Sequence, residues 1–593
     1  MTAAFEHPVW SAVLLLSPVA VPLVVLLSFL ASREHRVAET LAPWAPVPAL
    51  ALALFAPTGA HAEIPWLMMG GRLELDEVGR VFLLFASLVW LIAGTYARGH
   101  LARDPRRGSF HGYHLTAMAG MLGLPVAADV PLFYLLFALM TFSAHGLIIH
   151  SRSADALRAG QTYLVLAVLG EGLLLSGVLL TAGSMDTPLL KDGSDAILRS
   201  EHTSLIVALL IGGFGVKAAL LPLHVWLPLA HPVAPTPASA TLSGAMIKAG
   251  LLGWLRFLPL GAPELSSWGL TMVVVGFVGA FFGVAMGLAQ RAPKIVLAYS
   301  SVSQMGLMIV ITGGALAWPT AAAHVPSAAA IYALHHGIAK TSLFLAVGIA
   351  SRRLTPRMHM LVMLGVAVPI LAMSGAPLTS GAIAKKALGG VLDAAPGTTA
   401  SSLTLLASLA STATMLLMLR FAWVVRARAG RETGSISPEA SVAWLVSVIA
   451  TVMTIWLVPW VGAPTLAEDT LSRSELWASA WPIGLGLGLA ASAVLLARRR
   501  AATMPAMPPG DILVFLEHHY ARARPRLASH AEAIRTAEDR AKAGLSTRAR
   551  RLAARARALL AGEQALTSWN TGVVLLVAAV CLAFALMVFS RPS

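Results

Sequence analysis

Apolar residues run along this chain in stretches of about twenty, separated by short polar connections. About 20 such residues cross a bilayer as one helix, and the pattern predicts sixteen spans. They cover 9–31, 41–57, 77–97, 112–128, 130–150, 160–183, 203–227, 238–259, 267–290, 294–315, 325–350, 359–387, 402–427, 441–462, 476–498 and 569–590. The second and fourth are the shortest. The first lacks a basic leader and a clear cleavage site, so it reads as a span rather than a removed signal. The fold class expected is an all-α polytopic membrane protein.

One stretch breaks the apolar rule. Residues 212–250, GGFGVKAALLPLHVWLPLAHPVAPTPASATLSGAMIKAG, place Lys217 and Lys248 deep inside apolar segments. Between them lie His224, His231 and five prolines, among which Pro222, Pro235 and Pro237 are expected to break helices. A charge at mid-bilayer depth costs anything from a few kcal/mol to more than ten, and folding does not require it. Proline removes a backbone bond that neighbours or water must replace. Buried cations beside broken backbone point to a hydrated path. A second interrupted segment, MSGAPLTSGAIAKK (373–386), carries Pro377, Lys385 and Lys386, and YALHHGIAKTSLF (332–344) carries His335, His336 and Lys340. His336 and Lys340 are four residues apart and share a helical face. Lys217 and His224, seven apart, are expected to share one too. Glu171, in VLGEGLLLSG (168–177), is the one acid well inside a predicted span. A carboxylate that approaches or leaves a buried lysine changes its hold on a proton, and histidine can relay. Bland roles compete: Lys386 can snorkel to the headgroups, Glu171 can be a static counter-ion, and His335 a satisfied polar group. Tyr299, Ser300, Ser301, Ser303 and Gln304 serve either as packing contacts or as holders of water.

Matching interruptions divide the chain. Residues 1–110 read as N-terminal scaffold helices, 111–260 and 261–430 as two five-helix repeats, and 431–500 as additional spans. Short or Gly/Pro-interrupted segments at corresponding places in two halves mark a transporter's path. Residues 501–567 form the one long polar stretch. Within it, 527–566 repeats Leu527, Ile534, Leu545, Leu552 and Leu559 at helical spacing with Arg535, Arg548, Arg551 and Arg555 between them. That pattern predicts a basic amphipathic helix lying in the membrane interface, followed by an anchoring span in 568–593.

Composition refines the picture. Of 593 residues, 57% are hydrophobic and 12% charged, against about a quarter charged in soluble proteins. The net charge of +15 is topological and gives no reason to expect nucleic acid. Loops joining odd to even spans hold the basic clusters, such as Arg103, Arg106 and Arg107, Arg352 and Arg353, or Arg426 and Arg428. Even-to-odd loops lean acidic, with Asp129, Asp186, Asp192 and Glu264. The positive-inside rule makes the first set and the surface helix cytoplasmic and both termini external, in a bacterial-type cell membrane. The single cysteine, Cys581, excludes an internal disulfide, and no nucleotide, dinucleotide or metal motif occurs. No cofactor or metal is expected in this chain.

The stretches KAALLPLHVWLPLAHPVAPTPASATLSGAMIKAG (217–250), PKIVLAYSSVSQMG (293–306), HHGIAKTSLFLAVG (335–348) and SGAPLTSGAIAKK (374–386) resemble the antiporter-like subunits of respiratory complex I. Multisubunit Na+/H+ antiporters and membrane-bound hydrogenases share that family. The resemblance implies fourteen core helices in two inverted five-helix repeats, each with a broken helix. It places the family's lysines on Lys217, Lys248, Lys340 and Lys385, with His336 as the connecting histidine. The helix along 527–566 and the final span resemble the lateral helix of the distal, largest subunit. Two departures stand out. The family's glutamate on the fifth span falls at Ala138, leaving Glu171, one helix later, to supply a carboxylate. Ala382 and Ile383 replace aromatics near Lys385. The implied function is proton translocation within a complex-I-like assembly, through Glu171, Lys217, His224, Lys248, His336, Lys340 and Lys385. Any redox chemistry would belong to partner membrane subunits, contacted in part by the surface helix. A Na+/H+ antiporter subunit and an ion-coupling subunit of an inorganic-carbon uptake complex are the alternatives.

Overall fold

The computed structural model describes Phe5 and residues 7–31, 36–65, 70–430, 436–460 and 471–500. The expected surface helix and final span lie outside them. The described chain is mostly helical, and twelve of its helices are long and apolar enough to cross a membrane. Helix α1 (Pro8–Ala31) is followed by α2 (Arg36–Leu41) and α3 (Val47–Phe55), which together supply the second apolar segment.

A hairpin comes next, and it departs from the all-helical expectation. Strand β1 (Ala60–Ile64) pairs antiparallel with β2 (Gly71–Leu75), Ala60 opposite Leu75. Ala60, Ala62 and Ile64 are buried while His61 and Glu63 face out, the alternation of a half-buried strand. The run is too short and too polar to span, so pairing its own backbone is the available way to satisfy it.

Helices α4 (Glu77–His100), α5 (Arg107–Gly123), α6 (Val130–Ile148) and α7 (Ala154–Ala182) follow. The side chains of Asp76, Asp129 and Ser153 cap three of them by accepting from Gly79, Leu132 and Ala156 backbone N–H groups. Asp129 also accepts from the Arg72 N–H at 2.7 Å, tying β2 to the start of α6. A short helix, α8 (Leu190–Arg199), interrupts the polar loop before α9 (Thr203–Lys217).

The seventh span is not one helix. It stops at Lys217, turns through Ala219 at φ 56°, passes Pro222 and resumes through a 3₁₀ turn into α10 (Trp226–Val233). His224 lies on that turn, so the expected shared helical face of Lys217 and His224 does not exist. Pro235 and Pro237 start α11 (Thr236–Thr241) rather than breaking a helix, the position where a missing N–H is harmless. A π-helical turn, Leu242–Met246, connects α11 to α12 (Lys248–Phe257).

The second half continues with α13 (Ser266–Leu288), α14 (Pro293–Ala317), α15 (Val325–Ala350) and α16 (Pro356–Ser374). Gly375 in the left-handed region ends α16, and Leu378 at φ 60° completes a second break before α17 (Ser380–Leu392). The interruption expected within the span 359–387 is thus observed, and the span forms two helices. Then come α18 (Thr398–Ala427), α19 (Pro438–Trp460) and α20 (Arg473–Arg500). Helix α14 is buried along its whole length and α15 almost so, which makes this pair the centre of the bundle. Gly276 of α13 and Gly306 of α14 bring the two backbones together, since a Cβ on Gly276 would stand 2.6 Å from the Gly306 carbonyl oxygen.

Loop ends gather at opposite ends of α4. A cavity of about 450 Å³ near His100 collects Lys294, Arg352 and Arg428. One of about 290 Å³ near Asp76 collects Arg72, Lys191 and Arg256. At the second of these, Arg256 donates to Asp76 through both terminal nitrogens, one bond measuring 2.7 Å. Burial pushes the Asp76 carboxyl up, but the Arg256 hydrogen bonds and charge outweigh it and hold it below its ordinary 3.8. A lowered carboxyl stabilises the fold above its unfolded pKa and loses that contribution as pH falls through its folded value. Asp76→Asn should therefore lower unfolding stability in detergent by about 1 kcal/mol at pH 7, solvent screening the part-exposed pair. The difference from wild type should close below about pH 4, as read by thermal melts across pH.

Candidate ion-translocation site

The broken end of α9 delivers Lys217 into the interior. Burying a helix terminus leaves carbonyls without partners, and here the Trp226 indole N–H donates to the Val216 carbonyl at 2.9 Å. Lys217 is buried and its ammonium donates to the Tyr163 hydroxyl at 3.0 Å, with the tyrosine donating onward to the Thr141 carbonyl at 2.6 Å. Glu171, also buried, lines the same small cavity as Lys217, Tyr163, Thr141 and Trp226. Its volume is about 10 Å³, room for about one water. Neither carboxylate oxygen of Glu171 bonds to Lys217 or to backbone among the described residues, and the Thr141 hydroxyl is its neighbouring donor. Sequence position separates Glu171 and Lys217 by one loop and α8, yet the close packing of α7 on α9 at Gly170 and Gly213 unites them.

The second group assembles around α14 and α15. Lys248, fully buried, follows the π turn and donates back into it, to the Ser243 carbonyl. Such turns are rare and recur at functional sites. Ser243 and Ser301 hydroxyls share a hydrogen bond of 2.7 Å. Lys340, fully buried, donates to the Leu297 carbonyl at 2.7 Å and to the Ser300 hydroxyl. The electrostatic neighbours of His336 are Lys248, Lys340 and His335. Those of His335 include Lys385 and Lys248, and its Nδ1 lies 2.9 Å from the Ser380 hydroxyl at the start of α17. Lys385 donates to the Ser374 carbonyl at the broken end of α16, where the helix dipole is negative. His231 stacks on Phe344 at 4.5 Å, and the same ring lies 6.0 Å from the Lys340 ammonium. Both ring nitrogens of His231 and of His336 are without hydrogen-bond partners among the described residues.

The two groups differ in charge. Asp129 and Glu171 are the buried acids among the described residues, and Asp129 caps α6. The second group thus holds lysines and histidines facing backbone carbonyls and hydroxyls, with no buried carboxylate among them. Two expected members sit apart. His224 is buried with its ring 5.2 Å from Phe282. Lys386 faces Glu475 at the start of α20, at 3.7 Å. Tyr163, Thr141 and Trp226 belong to the first group and were absent from the sequence expectation. Nothing in their spacing marks them, although Tyr163 lies on the same span as Glu171. Of the polar run on α14, Ser300 and Ser301 join the lysine group, whereas Gln304 bridges Tyr332 and Thr414.

Residues 127–409, which include every one of these lysines and histidines, match the profile of the NADH:quinone oxidoreductase/Mrp antiporter transmembrane family. Over those residues the chain is similar to that family. Hydrogenase-4 component B of Escherichia coli is 30% identical over 320 residues, 51% of this chain and 46% of that protein. A Na+/H+ antiporter subunit A1 of Staphylococcus aureus is 31% identical over 297 residues, 48% of this chain and 37% of that protein. The chain thus spans about half the length, or less, of the curated relatives it matches. A chain of the Mrp complex from Dietzia sp. has the same fold, with TM-score 0.72 and 23% identity, covering 98% of this chain and 66% of that one. The protein is therefore a multi-pass membrane protein whose central domain is similar to that antiporter family.

In this domain the two lysine groups meet through backbone, not side chains. A Cβ on Gly250, two residues after Lys248, would lie 2.5 Å from the Phe214 carbonyl oxygen and 2.8 Å from the Ala218 nitrogen. Neither atom can yield without moving the end of α9. Gly250→Ala should cost about 1–3 kcal/mol, the range for overpacking a close interface, measured as loss of thermal stability of the purified protein.

Proposed function

We propose that this chain is a proton-translocating, antiporter-like subunit of a complex-I-like or Mrp-like membrane assembly. The observation that carries the reading is the enclosure of Glu171 and Lys217 in one small buried cavity at a helix break. A carboxylate and a lysine enclosed together can share or exchange one proton according to their separation. Support for a continuing path comes from the second group. Lys248 and Lys340 are electrostatic neighbours with no carboxylate between them. Two cations in such a setting repel strongly, so a proton arriving on one favours departure from the other. His336 stands between them as relay, and His335 and Lys385 extend the series toward the break before α17. His231 adjoins the series through Phe344, His224 lies apart against Phe282, and Lys386, paired with Glu475, plays the static part.

The finer architecture belongs to the same proposal. The breaks after Lys217 and Ser374 would be the corresponding points of two inverted five-helix repeats, 111–260 and 261–430, within sixteen spans. The end of α4 where Lys294, Arg352 and Arg428 gather without a lining acid, against the end where Arg72, Lys191 and Arg256 are balanced by Glu74 and Asp76, supports a cytoplasmic assignment for the first under the positive-inside rule. The 527–566 helix would lie along neighbouring membrane subunits, where any electron transfer takes place. The name of the Staphylococcus aureus relative favours a second reading, in which Na+ is exchanged for H+.

The test is proton movement in membrane vesicles carrying the chain with its co-purifying subunits. Lys217→Ala and Glu171→Gln should each slow translocation about a hundredfold, the low end of what a positioned proton-transfer group contributes. Wild-type rates in both variants would remove the proposed axis. Rates that depend on Na+ rather than on a redox substrate would select the second reading.

A further inference from the structure

We propose that Tyr163 is a second station for the Lys217 ammonium, which alternates between the tyrosine hydroxyl and the Glu171 carboxylate. The inference rests on the reading of Glu171 and Lys217 as proton-transfer groups and adds what separates them.

Tyr163 offers a neutral acceptor of fixed direction. Its one hydroxyl proton is committed to the Thr141 carbonyl at 2.6 Å, so its lone pairs are left to accept from Lys217 at 3.0 Å. The ring is held edge-on to Trp226, 5.2 Å between centroids, and Trp226 is itself fixed by its bond to Val216. Lys217 is the mobile partner, a compact charge on a four-carbon stem. Glu171 lines the same cavity, with the Thr141 hydroxyl as its neighbouring donor and no bond to Lys217. A buried carboxylate so sparsely bonded is costly, and Lys217 is the cation that acts on it within the same cavity. Lys217 and Glu171 line one cavity, so the ammonium can change partner by rotation of its own stem without a backbone movement. With Lys217 on Tyr163, Glu171 is uncovered and can exchange a proton through the water-sized space. With Lys217 on Glu171, the carboxylate is neutralised and closed. From α7, the groups facing this exchange are Tyr163 and Glu171. From α6 they are Thr141 and Tyr134, the latter an electrostatic neighbour of Glu171. Trp226 faces it from α10 and carries no charge.

The role is one of positioning, and vesicles carrying the chain with its co-purifying subunits test it. Tyr163→Phe keeps the ring and removes the station. Proton translocation should fall about tenfold, as expected for losing a hydrogen bond to a charged group. The pH optimum should rise by about one unit, since a lysine resting on a carboxylate alone holds its proton more tightly. Tyr163→Gln, which restores a neutral acceptor, should recover part of the rate and return the optimum. A Tyr163→Phe protein with wild-type rate and optimum, measured where Lys217→Ala abolishes transport, would overturn the station and leave the axis standing. A slower variant whose optimum does not move would reduce Tyr163 to packing. Unchanged transport in Lys217→Ala itself would overturn both.

Discussion

A helix cannot end inside a bilayer unless something satisfies its last carbonyls, and this structure depends on how that constraint is met. Water is not available in the hydrocarbon, so irregular backbone survives only where protein surrounds it or a wet cavity adjoins it. At the end of α9 the Trp226 indole takes one carbonyl. At the end of α16 the Lys385 ammonium takes another. At the π turn Lys248 takes a third. Three irregularities are thus each closed by a polar side chain, and two of those side chains are lysines of the candidate path. The cation that would be intolerable in a regular span becomes the partner that the broken backbone lacks.

This reciprocity sets the electrostatic character of the site. Carbonyl dipoles hold ammonium groups without balancing them, so the second group has no buried carboxylate among the described residues to fix its charge. Lys248, Lys340 and His336 are therefore coupled chiefly to one another. The first group is built the opposite way, with one carboxylate, one lysine and one tyrosine sharing a space of about 10 Å³, near the limit for a single water. Static pairing would neutralise Lys217 and leave nothing to pass on. On the proposed mechanism, a coupled cation series beyond it supplies the driving repulsion, and the acid and lysine of the first group supply the control.

Much of this was legible in the sequence, for a specific reason. Intramembrane lysines are so disfavoured that Lys217, Lys248, Lys340 and Lys385 announce themselves against an apolar background, and all four are found at or beside irregular or packed backbone. Glu171 was legible by the same rule, although its helix differs from the family's. The hairpin at 60–75 falls in the polar connection between the second and third apolar stretches, where strands of five residues alternating at period two leave no trace in a twenty-residue apolar pattern. The shared face of Lys217 and His224 failed because counting residues along a helix assumes that the helix continues. Proline alone did not locate the interruptions. Ala219 and Leu378, both at positive φ, make the turns, while Pro235 and Pro237 begin a helix. A non-glycine residue in that region stores strain that surrounding packing must overcome, and no composition rule anticipates it.

Tyr163 illustrates the deeper limit. A tyrosine in an apolar span is ordinary, since its ring packs like any other aromatic. What distinguishes it is a choice of hydrogen-bond direction, hydroxyl proton toward Thr141 and lone pairs toward Lys217, that exists only once α6, α7 and α9 are packed together. The close approach comes from Gly170 and Gly213, residues that carry no chemistry of their own. Small residues set the distance between helices, that distance decides whether a lysine reaches a hydroxyl or a carboxylate, and on the proposed mechanism the choice determines whether the acid is open to a proton. The geometry of the first group is therefore written as much in glycines that hold nothing as in the three side chains, Tyr163, Glu171 and Lys217, that share the cavity.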